Sequence, residues 1–311
     1  MPTPFPQPLV VRTSISPYGL AVGPDGNLWG WVEGAGGLGG SINGYDKSGN
    51  LLYSYNSGTY VLAGMVTLGS LMWGFDAANN QWSLNPGVGL TEHGYIENTL
   101  YWVAVPSLNE IWSRVNTPAY GHQLDRFDST GSGVGTYAVT NSTDMQTALA
   151  VGPDGNVWSS NGTTEAQSMS LTGTQTNYSV FLSGSSISGL ISDGTYLWYV
   201  DQTAGNGVWR VTTAGAATQV PISSFVANSV AYGSDGYVYV LGTPTATPAV
   251  PLLYRLDPST ATVIDYASCP AFTAGSSGWG YLMSDGTDLW MTSPNADMCK
   301  WGRFVQIVMV V

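Results

Sequence analysis

Apolar and polar positions alternate along almost the whole chain in short runs, and Gly, Asp, Asn and Pro punctuate the runs at close intervals. A period of two bounded by turn residues predicts half-buried β-strands, and nothing in the pattern calls for a helix. The runs recur as two phrases, each present in seven copies. The first is a small apolar run, a tight turn and an aromatic anchor: GLAVGPDGNLWGW around Trp29, GMVTLGSLMWGF around Trp73 and GYIENTLYWVA around Trp102. It continues as ALAVGPDGNVWSS around Trp158, GLISDGTYLWYV around Trp198, SVAYGSDGYVYVL around Tyr239 and GYLMSDGTDLWMT around Trp290. The second phrase follows each anchor, and its fourth residues fall at Tyr45, Leu84, Phe127, Leu171, Val211, Leu256 and Arg303. The resulting gaps of 39, 43, 44, 40, 45 and 47 residues are the period of a β-propeller.

Each first phrase reads as a hairpin. The turns Pro24-Asp25-Gly26, Pro153-Asp154-Gly155, Asp193-Gly194, Asp235-Gly236 and Asp285-Gly286 pair an Asp that caps its own backbone with a Gly that supplies positive φ. The anchor ring then lies on the second strand and wedges between blades. The second phrase is the third strand. A fourth follows at Leu51–Tyr55, Val134–Val139, Thr176–Phe181, Ala216–Val220 and Thr262–Tyr266, with only a stunted one expected at Pro86–Leu90. The chain begins with an orphan strand, Pro8–Thr13, and the last blade has a third strand at Arg303–Val308 but no fourth. The expected fold is therefore all-β: one domain over residues 1–311, a seven-bladed propeller of four-stranded antiparallel blades. In it the N-terminal strand completes the C-terminal blade and removes an open sheet edge. Residues 105–121 and 243–250 read as insertion loops.

Composition narrows the function classes. Charged residues are 9 % of the chain, against about 25 % in ordinary soluble domains. The net charge is −12 with only Lys47 and Lys300 as lysines. Phosphate binding needs clustered Lys and Arg, so nucleic acid and anionic membrane surfaces are poor partners, and no run is long enough to insert in a membrane. A neutral, hydroxyl-rich β-surface is the type found on extracellular and virion proteins, although MPTPFPQPLVV lacks the regions of a signal peptide. Assembly onto a phage tail or capsid would reconcile the two. Cys269 and Cys299 both fall in blade seven, where a disulfide would contribute about 3–4 kcal/mol; two separate thiols are the alternative. With two cysteines and two histidines in different blades, no zinc site is expected.

GLAVGPDGNLWGW, ALAVGPDGNVWSS and VWRVTTAG resemble the repeats of the virginiamycin B lyase (streptogramin lyase) family and of NHL-type seven-bladed propellers. That resemblance implies opening of a macrolactone at the channel mouth by a His acid or base, aided by Glu, a second His and Mg²⁺. In this chain the pattern is not reproduced. His93, beside Glu92, is placed just before the first strand of blade three, at the channel mouth. The matching slots of the other blades hold Tyr18, Ala63, Gln146, Ile187, Asn228 and Trp279, and His122 starts a third strand.

Binding in a propeller of this kind belongs to the face opposite the Asp-Gly turns, whose loops vary on a rigid scaffold. Trp31, Trp112 and Trp279 are the tryptophans that the repeat does not explain, and an exposed aromatic near Asn and Asp suits sugar stacking or a protein contact. Tyr120 lies in the same blade-three segment as Trp112. The expected contact residues are thus Trp31, Glu92, His93, Trp112, Tyr120 and Trp279. The turn aspartates are too scattered for calcium, and Arg126, Arg210 and Arg255 share one repeat position suited to joining blades. The expectation is a non-enzymatic binding or structural propeller that contacts a glycan or protein partner and needs no cofactor. The alternative is a Mg²⁺-dependent lyase with Glu92 and His93 as its acid–base pair.

Overall fold

The computed structural model describes residues 9–11, 17–33, 40–56, 62–76, 80–95, 99–117, 121–140, 148–246, 250–268, 281–293 and 296–301. Its 28 strands, β1 to β28, form seven four-stranded antiparallel sheets. Strand β1 (Leu9–Val11) stands apart in sequence from its sheet. Blade one is β2 (Pro17–Val22), β3 (Leu28–Glu33), β4 (Gly40–Tyr45) and β5 (Leu51–Asn56). Blade two is β6 (Leu62–Leu68), β7 (Leu71–Asp76), β8 (Asn80–Asn85) and β9 (Gly89–Tyr95). Blade three is β10 (Thr99–Val105), β11 (Glu110–Thr117), β12 (Gly121–Asp128) and β13 (Gly133–Ala138). Blade four is β14 (Ala150–Val151), β15 (Val157–Ser160), β16 (Glu165–Met169) and β17 (Gln175–Ser179). Blade five is β18 (Ile187–Ser192), β19 (Leu197–Asp201), β20 (Val208–Val211) and β21 (Ala217–Val220). Blade six is β22 (Phe225–Tyr232), β23 (Val238–Pro244), β24 (Leu252–Asp257) and β25 (Thr262–Ser268). Blade seven is β26 (Tyr281–Ser284), β27 (Leu289–Ser293) and β28 (Ala296–Trp301), completed by β1.

The first strands β2, β6, β10, β14, β18, β22 and β26 each lie beside the next, and β26 returns to β2, so the ring closes around a central channel. The N-terminal strand does complete the last blade, with Leu9 opposite Lys300, Val10 opposite Cys299 and Val11 opposite Met298.

The core sits between blades. Trp29, Trp73, Trp112, Trp158, Trp198, Tyr239 and Trp290 are fully buried on the second strands. The turn aspartate has a second role besides capping. Asp25 accepts from the indole Nε1 of Trp29 at 3.0 Å, Asp154 from Trp158 at 2.9 Å and Asp193 from Trp198 at 2.7 Å. Asp235 accepts from the Tyr239 hydroxyl at 2.6 Å and Asp285 from Trp290 at 3.2 Å. A donor that cannot leave the interior is thus satisfied by the turn that precedes it. Gly152 makes room for this contact, since a Cβ there would lie 2.5 Å from the Trp158 ring.

Blade three corrects the sequence reading. Its anchor is Trp112, not Trp102. Residues 105–121 are not an insertion loop, because Pro106-Ser107-Leu108-Asn109 is the hairpin turn and β11 follows it. Asn109 takes the positive φ, 55°, that Gly takes elsewhere, and Glu110 replaces the turn Asp by accepting from Trp112 Nε1 at 2.8 Å. Trp102 lies on the first strand, stacked between Phe75 and Phe127. The third strands of blades four and seven end at Met169 and Trp301, each two residues before the position read from the repeat. The fourth strand of blade two is the full β9 rather than a stunted Pro86–Leu90. Residues 303–308 lie outside the described part. Of the segment 243–250, Thr243 and Pro244 end β23, and 247–249 lie outside the described part.

Candidate functional site

A cavity of about 350 Å³ opens among the first strands, with polar walls from Tyr101 on β10, Ser188 on β18, Asn228 and Ser229 on β22, and Tyr281 on β26. Gln202, just past the end of β19, closes one side, which sets the cavity at the channel mouth opposite the Asp-Gly turns. The size falls at the small end of ligand pockets, roughly 300–1,000 Å³. Its described lining contains no Asp, Glu, His, Lys or Arg. It offers hydroxyls, two amides and two phenol rings beside the apolar side chains of Ala148, Leu190 and Val230.

The walls are held by hydrogen bonds outside the cavity. Asp201 is fully buried at the end of β19. Its Oδ1 accepts from the backbone of Ser186 at 3.1 Å and Thr203 at 3.0 Å, while Oδ2 accepts from Asn206 Nδ2 at 2.9 Å and Trp209 Nε1 at 3.1 Å. Burial alone would raise the pKa of this carboxyl, but the converging donors carry it below the ordinary value, so it remains ionised. This one side chain ties the loop entering β18, which carries Ser188, to the loop leaving β19, which carries Gln202. The backbone N–H of Gln202 completes the tie by donating to Ser186 O at 2.8 Å. The hydroxyl of Ser229 accepts from the Leu282 N–H at 3.1 Å, whereas the buried Ser188 hydroxyl has no protein partner. Tyr281 meets water in the mouth yet is crowded by protein, and that crowding raises its pKa, so its hydroxyl stays a donor at neutral pH.

The structure does not bring the sequence-predicted contact residues together here. Glu92 and His93 sit on β9, the outermost strand of blade two, so the acid–base pair expected at the channel mouth is on the rim. His93 Nε2 lies 2.7 Å from the Ser83 hydroxyl, and its ring packs on the buried Trp73 with centroids 4.7 Å apart. A Cβ on Gly131 of blade three would lie 2.9 Å from its Nδ1. Tyr137 and Tyr178 hold the matching position in blades three and four, covering Trp112 and Trp158 and closed over by Gly173 and Gly215. His93 is therefore one member of a repeated aromatic cover, and burial against Trp73 lowers its pKa.

Trp112 is fully buried and cannot be an exposed contact; its indole is fixed by Glu110, which also holds Arg126 at 2.7 Å. Trp31 lies on β3 opposite Ile42 in the ladder, and its side chain is outside the described part. Tyr120, Trp279 and Cys269 lie outside the described residues, while Cys299 is buried on β28. Of the three repeat arginines, Arg210 reaches the next blade through the Pro258 and Ser259 carbonyls, while Arg126 and Arg255 bond to Glu110 and Asp265 of their own blades.

The lining residues now found were hard to see in sequence. Asn228 stood in the slot compared across blades and does line the cavity, and Ser188 is next to Ile187, which also stood there. Tyr101 was hidden by the shifted frame of blade three. Among the described residues no three His, Cys, Asp or Glu side chains gather as a closed metal site would need.

The fold is a seven-bladed propeller of four-stranded antiparallel blades. Among solved structures the chain is similar to selenomethionine-substituted virginiamycin B lyase from Staphylococcus aureus. That match has TM-score 0.72 and 17 % identity over 94 % of this chain and 97 % of that one. A catalytically inactive variant of the Staphylococcus aureus enzyme with quinupristin matches at TM-score 0.71 and 18 % identity, covering 94 % and 97 % of the two chains. A streptogramin B lyase structure matches at TM-score 0.71 and 18 % identity, covering 94 % and 96 %. At this identity the likeness establishes the fold. No family model matches the chain, and no curated protein matches it.

Proposed function

We propose that this propeller is a non-catalytic binding module that receives an uncharged, hydroxyl-bearing ligand, of which a glycan is the natural example, at the mouth of its channel. The observation that carries the reading is a cavity wall in which Tyr101, Ser188, Gln202, Asn228, Ser229 and Tyr281 stand beside apolar Ala148, Leu190 and Val230, without a charged side chain among its described residues. A charged ligand would lose its hydration there and gain no counter-charge, whereas sugar hydroxyls find donors and acceptors and the two phenols offer apolar faces. The acidic, hydroxyl-rich surface supports work on an extracellular or virion exterior, with a protein partner as the other class of contact. Catalysis of the lyase type is disfavoured by the position of Glu92 and His93 on the rim, since a general acid must reach the reacting atom.

Saturation-transfer NMR with glucose, galactose and N-acetylglucosamine, beside glucuronate and glucosamine, tests this directly. Neutral sugars should bind, and Asn228→Ala or Gln202→Ala should each weaken them roughly threefold to tenfold, the worth of one hydrogen bond. Binding of the charged sugars alone, or Mg²⁺-dependent opening of a macrolactone that is lost in His93→Ala, would overturn it.

A further inference from the structure

Both lysines of the chain meet at one junction, that between blade seven and blade one. Lys47, in the β4–β5 turn of blade one, places Nζ 3.1 Å from Oδ2 of Asp285, whose side chain in the first turn of blade seven is fully buried. Lys300, on β28, lies 2.7 Å from Oδ2 of Asp288 and donates across the junction to the Lys47 carbonyl at 3.2 Å. The same ammonium stands 5.2 Å from the Trp290 ring centre, and the Trp290 indole donates to Asp285. Asp285 is held ionised: burial works against its charge, but the Asp288 backbone, Lys47, Trp290 and the Thr287 backbone together bring its pKa below the ordinary value.

Other junctions on this face are joined differently. Tyr137 donates to Leu171 O, Tyr178 to Thr213 O, Ser234 to Thr287 O, and Arg210 to two carbonyls of blade six. The pairs Arg126–Glu110 and Arg255–Asp265 each stay within a blade. Blade seven is also the one blade not made of consecutive strands, and the described pairs of its fourth strand include Leu9 with Lys300.

We propose that the blade seven–blade one junction is an ionic latch, the place where this ring loosens, and that the two ammonium groups set how firmly β1 stays paired with β28. Lys300 couples the parts, since it pairs with Leu9, binds Asp288 and reaches across to the carbonyl of Lys47. Release of the latch loosens blade seven and with it Tyr281 of the cavity wall; that last consequence alone rests on the binding reading above.

Hydrogen exchange followed by mass spectrometry on the full chain, without ligand, tests the latch independently of any binding. In Lys47→Gln/Lys300→Gln, amides of β1 and β28 should exchange roughly tenfold faster or more, since Asp285 and Asp288 stay buried without their counter-charges, while β15 to β20 keep their protection. Lys47→Arg/Lys300→Arg should restore it. If the double variant does not fold, Lys47→Gln alone, which removes the more exposed of the two ammonium groups, decides the matter by the same readout. Arg210→Gln should instead loosen blades five and six. Unchanged exchange in β1 and β28, or a rise spread evenly around the ring, would overturn the proposal.

Discussion

Replacing Asp154 by alanine removes one small exposed side chain, yet the structure assigns it a cost set by a buried ring. Oδ1 accepts from Trp158 Nε1 at 2.9 Å and from the Asn156 N–H at 3.2 Å, and Oδ2 accepts from Asn156 Nδ2 at 2.9 Å. The two Asn156 bonds are exposed, so water replaces them at about 0.5 kcal/mol or less each. The indole N–H belongs to a fully buried Trp158 and has no water to turn to, so stranding it costs about 1–3 kcal/mol. The expected total is about 1–4 kcal/mol for Asp154→Ala, while Asp154→Asn, which keeps an acceptor oxygen, should cost less than the alanine variant by about 1 kcal/mol or more. Urea unfolding followed by tryptophan fluorescence would read both as shifts of the midpoint at constant slope. The molecule holds its own comparison: the two-residue turn Gly69-Ser70 of blade two has no Asp, and Trp73 Nε1 is left without a partner. A cost below about 0.5 kcal/mol for alanine, or one equal to that of asparagine, would refute the assignment, because the indole bond would then carry nothing.

Three further outcomes follow from the same packing. Gly152→Ala puts a Cβ 2.5 Å from the Trp158 ring and 2.8 Å from Asp154 Oδ1; it should cost about 1–3 kcal/mol in the same urea assay by overpacking. Trp112→Ala should cost about 3–5 kcal/mol as a core deletion, where a surface contact would leave stability unchanged. His93 titrates below its usual 6.5 because of burial, so the unfolded chain binds the proton more readily and stability should fall as pH drops below that value. His93→Tyr, the residue of the matching blades, should remove this loss, and unfolding at pH 8 and pH 5 compares the two.

The architecture was legible because a propeller repeats its turn chemistry. Where Asp-Gly marks the hairpin, the strands fell where the phrases put them. Blade three departs from the phrase because Asn109 and Glu110 do the same work with different residues, which leaves Trp102 looking like the anchor in sequence. Proline at the second turn position, Asn in the left-handed region and an acidic residue two before a Trp were the available signal. The same slip moved His93 from an outer strand to an imagined mouth. The cavity was less legible for another reason. Its polar residues come from the inner strands of blades three, five, six and seven and from the loop after β19, and a serine or asparagine there differs from one on the surface only through the register that places it.

Blade seven joins the first strand of the chain to the last, and this has a consequence in time. Synthesis proceeds at about 5–20 residues per second, so Leu9 through Val11 wait tens of seconds before Met298 to Lys300, their partners, exist. Six blades can be assembled during that interval, each from neighbouring sequence. A short apolar strand, Leu-Val-Val, must remain unclaimed by any of their exposed edges until the last one arrives. Its described partner is β28 alone, so it takes its place last, when the ring around it is complete.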